Sequence, residues 1–163
     1  MQGIIDAKTK IKEIVEAYSN EKLFIIVDEK MTKEDLLKKM VHNIKENTDS
    51  IAEENNFLSN MLERGNIGST GIGMGVALPH ARFDGVKNIV LSMALVPQGV
   101  EFETPDGETV KLVIMIGAPK EQGKQYLSLI AAIARVFRNN EYREKVISSK
   151  RVAKKKKNVE EFQ

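Results

Sequence analysis

Residues 68–81 read Gly68-Ser69-Thr70-Gly71-Ile72-Gly73-Met74-Gly75-Val76-Ala77-Leu78-Pro79-His80-Ala81. Glycines and hydroxyl residues dominate the first half, so it reads as a flexible loop rich in free backbone N–H groups. Successive N–H groups of this kind can form a concavity that takes an anion. A short apolar strand, Val76 to Leu78, follows and ends in Pro79 and His80. Pro79 fixes its own φ and drives Leu78 to extended geometry, so the imidazole of His80 is presented with little freedom. Neutral imidazole, with an unperturbed pKa of about 6.5, is a nitrogen nucleophile near neutral pH. Its lone pair attacks phosphorus without a separate base. A nitrogen nucleophile beside an anion cradle points to phosphoryl chemistry on His80. The competing reading is a structural histidine after a plain glycine-rich turn.

The elements around the loop set the fold class. Ile4, Ile5, Ile11, Ile14, Val15 and Tyr18 recur at helical spacing and predict a first helix. Leu23 to Val27 predicts a buried strand. Thr32 offers an N-cap with Asp35 three residues on, opening a helix that buries Leu36, Leu37, Met40, Val41 and Ile44. His42 falls off that stripe. Ser50 and Glu53 predict a second capping box, and its helix buries Phe57, Leu58, Met61 and Leu62 before running out near Arg64-Gly65. After the loop, Asn88 to Pro97 predicts a strand in which Ile89, Leu91, Met93 and Leu95 alternate with smaller residues. Val100-Glu101-Phe102 suggests a short edge piece. Pro105-Asp106-Gly107 is a turn, and Val110 to Ile116 is a near-continuous apolar run, hence a central strand stopped by Pro119. A helix from about Glu121 to Arg138 is predicted to bury Leu127, Leu129, Ile130, Ile133, Ala134 and Phe137. A last helix covers Glu141 to Ser148. This order predicts an α/β architecture, a mixed β-sheet sandwiched by helices.

Composition narrows the chemistry. With no cysteine and two histidines, disulfides, thiolate metal sites, cysteine catalysis and a His-rich metal centre are excluded. A carboxylate metal site has no motif behind it, so neither a metal nor a cofactor is expected. The first 18 residues lack a signal-peptide core, and no run approaches a membrane span, which predicts a cytoplasmic protein with no membrane insertion. The net charge of +2 is unevenly spread: residues 150–163 carry six basic and two acidic side chains. The chain therefore reads as a domain over 1–149 with a basic C-terminal tail over 150–163. The lysines have no interleaved aromatics, so the tail reads as a solvated end and no nucleic-acid partner is expected. Gly71-Ile72-Gly73-Met74-Gly75 is superficially like a dinucleotide fingerprint, but a helix precedes it and a strand follows, the reverse of the required order.

Arg64, at the end of a helix just before the loop, has a guanidinium suited to gripping phosphoryl oxygens bidentately. It is equally an ordinary arginine at a helix C-terminus. Ser69 and Thr70 either donate to phosphate oxygens or cap the turn.

Arg64 together with the run Gly68 to Ala81 resembles the phosphorylation-site motif of the fructose/mannitol-type enzyme IIA proteins of the bacterial phosphotransferase system. The likeness extends over most of the chain, and the length resembles the nitrogen-regulatory branch. The resemblance implies the enzyme IIA type-2 fold and a phosphotransferase role as a phosphohistidine relay. It makes His80 the phosphorylated residue, with Arg64 and Thr70 as its catalytic companions. Ser69, Gly71, Gly73 and Tyr126 would line the phosphate site. It implies an HPr-type phosphocarrier protein as donor and an enzyme IIB or a regulatory target protein downstream. Two positions depart from the family pattern. Gly65 stands where the family has an acidic or amide residue, and Tyr126 where it has a second histidine. A tyrosine can hydrogen-bond a phosphate oxygen but cannot become cationic. An interaction module on the same fold, with His80 not phosphorylated, is the alternative these departures leave open.

Overall fold

Two long apolar runs, each buried on both faces, make the centre of a sheet that helices cover from both sides. In this computed structural model the backbone is described for residues 2–67 and 71–148, and the side chains for 9–63 and 73–148. The elements in order are α1 (Gln2–Tyr18), a 3-10 turn (Glu21–Leu23), β1 (Phe24–Ile26), α2 (Lys33–Asn47), α3 (Glu54–Ile67), β2 (Gly71–Gly73), β3 (Val76–Ala77), β4 (His80–Arg82), β5 (Val90–Val100), β6 (Val110–Ala118), a second 3-10 turn (Lys120–Gln122), α4 (Gly123–Val136) and α5 (Asn140–Ser148). Among the described residues the strands form one six-stranded sheet in the order β1-β5-β6-β3-β2, with β4 also on β6.

β5 and β6 pair antiparallel, from Val90 opposite Gly117 to Leu95 opposite Leu112. β1 lies parallel to β5, while β3 and then β4 lie parallel to β6 along its other side. Alternation along β5 and β6 sorts their side chains onto two faces. Leu91, Met93, Leu95, Leu112, Ile114 and Ile116 pack with Ile11 and Ile14 of α1, Leu129 and Ile133 of α4, and Phe137 just past its end. Val90, Ala94, Val96, Val113 and Met115 pack with Leu36, Leu37, Met40, Val41 and Ile44 of α2 and Phe57 and Met61 of α3. The mixed sheet between helices is thus the expected architecture. Each aliphatic side chain fully buried this way contributes about 1.5–3 kcal/mol before entropy is counted. Thr32 caps α2 as its sequence predicts, its Oγ1 accepting from the Asp35 N–H at 3.1 Å. Among the described residues no helix is long and apolar enough to cross a membrane.

Several expectations are corrected. Leu23 lies in a 3-10 turn rather than in β1, because the Asn20 side chain accepts from the Lys22 N–H at 2.8 Å and closes that turn first. Ser50 caps no helix. Its carbonyl accepts from the Lys87 N–H at 2.6 Å, and Ile51 bridges Val86, so this stretch is held as a loop ladder and α3 begins only at Glu54. α3 continues through Gly65 to Ile67, and Leu58 and Leu62 are only partly buried. β5 passes Pro97 with a register shift and ends at Val100, where a proline without an N–H is tolerated; Glu101 and Phe102 form no strand. Leu127 is 66% exposed, because the buried stripe of α4 runs through Tyr126, Leu129, Ile133 and Val136 and leaves it on the outer side. The tail from residue 150 lies outside the described residues, as do Gly68, Ser69 and Thr70.

Candidate functional site

His80 opens β4, opposite Ile116 of β6. Pro79 has no N–H to give the sheet, but its carbonyl accepts from the Ile116 N–H at 3.0 Å and locks the chain just before the histidine. The imidazole is half-buried, and its Nδ1 lies 2.5 Å from the Leu78 carbonyl oxygen. A carbonyl only accepts, so Nδ1 carries the proton and donates it there. The lone pair of the neutral ring is therefore on Nε2. A backbone contact two residues upstream fixes the tautomer, the device that also orients metal-bound histidines.

Tyr126, in the first turns of α4, is buried beside this ring. The two ring centroids are 6.0 Å apart with planes tilted by 50°. The structure thus brings His80 and Tyr126 together. Arg64 lies in the last turn of α3, and its side chain is outside the described ones. Thr70 and Ser69 are outside the described residues altogether. Gly71 and Gly73 are in place, but in a strand rather than in an open loop: β2 pairs antiparallel with β3, Gly71 opposite Ala77 and Gly73 opposite Val76.

Met74 and Gly75 make the two-residue turn of this hairpin, with φ of 58° and 81°. Positive φ at both positions is the type I′ pattern, free for Gly75 but costing about 1–2 kcal/mol at Met74. Asp106 offsets part of that cost. Its Oδ2 accepts from the Met74 N–H at 2.7 Å and its Oδ1 from the Glu108 N–H at 3.0 Å. Sequence reading found the Pro105-Asp106-Gly107 turn but not this contact, which joins segments 32 residues apart. The bond to Met74, then that to Glu108, lowers the Asp106 carboxyl from its ordinary 3.8. The contact is therefore in full force at neutral pH and is lost as pH falls through that lowered value. Asp106→Ala is expected to raise hydrogen exchange at the Met74 amide severalfold at pH 7 with little change in global stability; exchange resolved by NMR checks it. An unchanged rate would leave the turn held by other bonds.

The seat of α3 was not legible in the sequence. The Phe57 ring lies over Gly117 of β6, where an added Cβ would be 2.6 Å from Cε2, and it also packs on Phe83 with centroids 5.7 Å apart. Gly117 is opposite Ala81, the neighbour of His80. The helix that carries Arg64 is therefore docked on the strands that carry His80. Among the described residues no group of three or more His, Cys, Asp or Glu side chains is placed to hold a metal ion.

Known proteins resemble this chain in sequence and in fold. The chain is 32% identical over 92 residues to a fructose-specific EIIA component of the PTS system from Haloferax volcanii, covering 56% of this chain and 60% of that protein. It is 33% identical over 90 residues to a nitrogen regulatory protein from Bradyrhizobium diazoefficiens, covering 55% of this chain and 59% of that one. It thus spans about three fifths of the length of these curated relatives. The crystal structure of nitrogen regulatory protein IIA-Ntr from Neisseria meningitidis superposes with a TM-score of 0.77 at 23% identity, covering 90% of this chain and 99% of that one, a likeness of fold. The family model for the phosphoenolpyruvate-dependent sugar phosphotransferase system, EIIA 2, matches residues 18–158, which takes in every strand and all the helices after α1. This chain belongs to that EIIA 2 family.

Proposed function

We propose that the chain is a phosphoryl carrier that accepts a phosphoryl group on His80 Nε2 from the phosphohistidine of an HPr-type protein. It then passes the group to an enzyme IIB or signals it to a regulatory target. The observation that carries this reading is the Nδ1 contact to the Leu78 carbonyl, which leaves the attacking lone pair on Nε2. In the transfer, the Nε2 lone pair forms the new P–N bond. The donor's P–N bond breaks, and its electron pair returns to the donor imidazole. The His80 Nδ1 proton stays on Nδ1, donated to the Leu78 carbonyl, and the growing positive charge on the ring strengthens that bond. No proton has to move. Phosphoryl transfer of this kind is governed by positioning and electrostatics. Arg64, Thr70, Ser69 and the Gly71 and Gly73 backbone are the groups proposed to hold the phosphoryl oxygens, with the Tyr126 phenol beside the ring.

The test is phosphoryl uptake. The protein is incubated with phosphoenolpyruvate, enzyme I and HPr, and intact mass is read at alkaline pH, where phosphohistidine survives. A gain of one phosphoryl group is expected, with NMR of the ring nitrogens placing it on Nε2. No gain from several carrier proteins would favour the unphosphorylated interaction module, for which Tyr126 in place of a cationic partner is the supporting observation.

A further inference from the structure

β4 is three residues long, and alternation puts His80 and Arg82 on one side of it and Ala81 on the other. Ala81 is buried in the core that faces α2 and α3. His80 and Arg82 therefore look toward α4, and their contacts agree. His80 meets the ring of Tyr126. Arg82 Nη1 donates to the Lys120 carbonyl at 2.6 Å, and a Cβ added at Gly123, the first residue of α4, would be 2.5 Å from that Nη1 and 3.0 Å from Cζ. The side chains leave the strand about 6.6 Å apart, within the reach of an arginine toward a group carried on its neighbour's ring. Among the described residues no carboxylate forms an ion pair with Arg82. A backbone carbonyl holds one arm of the fork, and the charge is not neutralised there. Arg82 is exposed, so its remaining N–H groups can turn to an incoming anion.

We propose that Arg82 is a further catalytic residue of this site, contacting the phosphoryl oxygens on His80 from the α4 side. This rests on the reading of His80 as the phosphoryl acceptor. The Tyr126 phenol occupies the same side and is neutral, so Arg82 supplies the charge there. The Lys120 carbonyl pre-organises the guanidinium, which lowers the entropy lost when it grips the phosphoryl group.

The variants Arg82→Gln and Arg82→Lys separate charge from tethering, because both side chains can donate to the Lys120 carbonyl and only lysine is cationic. Uptake of phosphoryl from HPr is timed by rapid quench for wild type and both variants, alongside thermal melts. Arg82→Gln is expected to slow uptake about 100-fold, the scale for losing one charge-stabilising donor. Arg82→Lys should stay within about fivefold, and both should melt within a few degrees of wild type. The pH titration of the phosphoryl 31P signal is a second readout. Its midpoint should rise in Arg82→Gln and hold in Arg82→Lys, which a purely structural role would not produce. Uptake by Arg82→Gln at the wild-type rate overturns the proposal. So does a parallel loss in both variants with lowered melting temperature, which would mean that Arg82 acts only by holding Lys120. Failure of wild type itself to take up phosphoryl is a different result, and it overturns the reading of His80 on which this rests.

Discussion

His80→Gln is expected to fold as wild type does and to take up no detectable phosphoryl group. The glutamine amide is close in reach to the imidazole and can still donate to the Leu78 carbonyl. Its nitrogen lone pair is delocalised into the carbonyl, so the nucleophile is gone while the local hydrogen bonding is kept. The side chain is half-buried at a strand start, and stability should change by less than about 1 kcal/mol. Intact mass at alkaline pH after incubation with phosphoenolpyruvate, enzyme I and HPr checks the first half, and a urea unfolding curve the second. Acid-labile phosphate retained on His80→Gln would put the acceptor elsewhere. The other histidine is a poor substitute. His42 Nδ1 is 3.1 Å from Glu54 Oε1 and its Nε2 is 3.4 Å from Glu46 Oε1, so a phosphoryl group there would be pressed between two carboxylates.

The central sheet was legible because its strands are buried on both faces or alternate cleanly. Val110 to Ile116 is apolar at nearly every position, and Leu91, Met93 and Leu95 alternate with smaller residues, so each pattern admits one assignment. The α2 stripe was legible for the same reason, with Thr32 marking its start. What failed was decided by partners distant in sequence. Ser50 with Glu53 looks like a helix start, but Lys87 and Val86 take up the backbone at 50 and 51, and no local signal carries that information. Leu127 fits an apolar stripe by composition. Tyr126 takes the inward position, where its ring packs on His80 and joins the core, and Leu127 is left on the outer side.

The candidate site divides in the same way. The Pro79-His80 pair is a local feature, and its rigidity follows from the proline alone. The pairing of His80 with Tyr126 had no signal in spacing or periodicity and was reachable only through family resemblance. Asp106 and Arg82 were missed because single exposed charges are common, and what distinguishes these two is the backbone group each holds. Gly117 did leave a trace, since a glycine inside an otherwise apolar strand marks a close approach by something.

That trace leads to the largest stability effect expected of a single small substitution here. Gly117→Ala should destabilise the fold by about 1–3 kcal/mol, the usual range for overpacking. The added Cβ would be 2.6 Å from Phe57 Cε2 and 2.7 Å from Cζ, closer than carbon atoms approach. The ring has little room to retreat: Phe57 is fully buried and packs against Phe83 on one side, while Val90 Cγ1 is already 3.5 Å from the new atom. Relief has to come from α3 moving off the sheet, and α3 is the helix that carries Arg64. A double-mutant cycle separates this from a plain loss of strand quality. Phe57→Leu alone removes ring contacts and is expected to cost about 1–2 kcal/mol. In the Gly117→Ala background it opens the space the methyl needs, so the double variant should be more stable than the sum of the single losses by about 1 kcal/mol or more. Urea midpoints with unchanged slopes measure all three. Strict additivity would mean that the Phe57 ring yields freely and that α3 is seated by other contacts. A clear favourable coupling, with phosphoryl uptake slowed in Gly117→Ala and recovered in the double variant, would tie the packing of one glycine to the geometry of the proposed phosphoryl site.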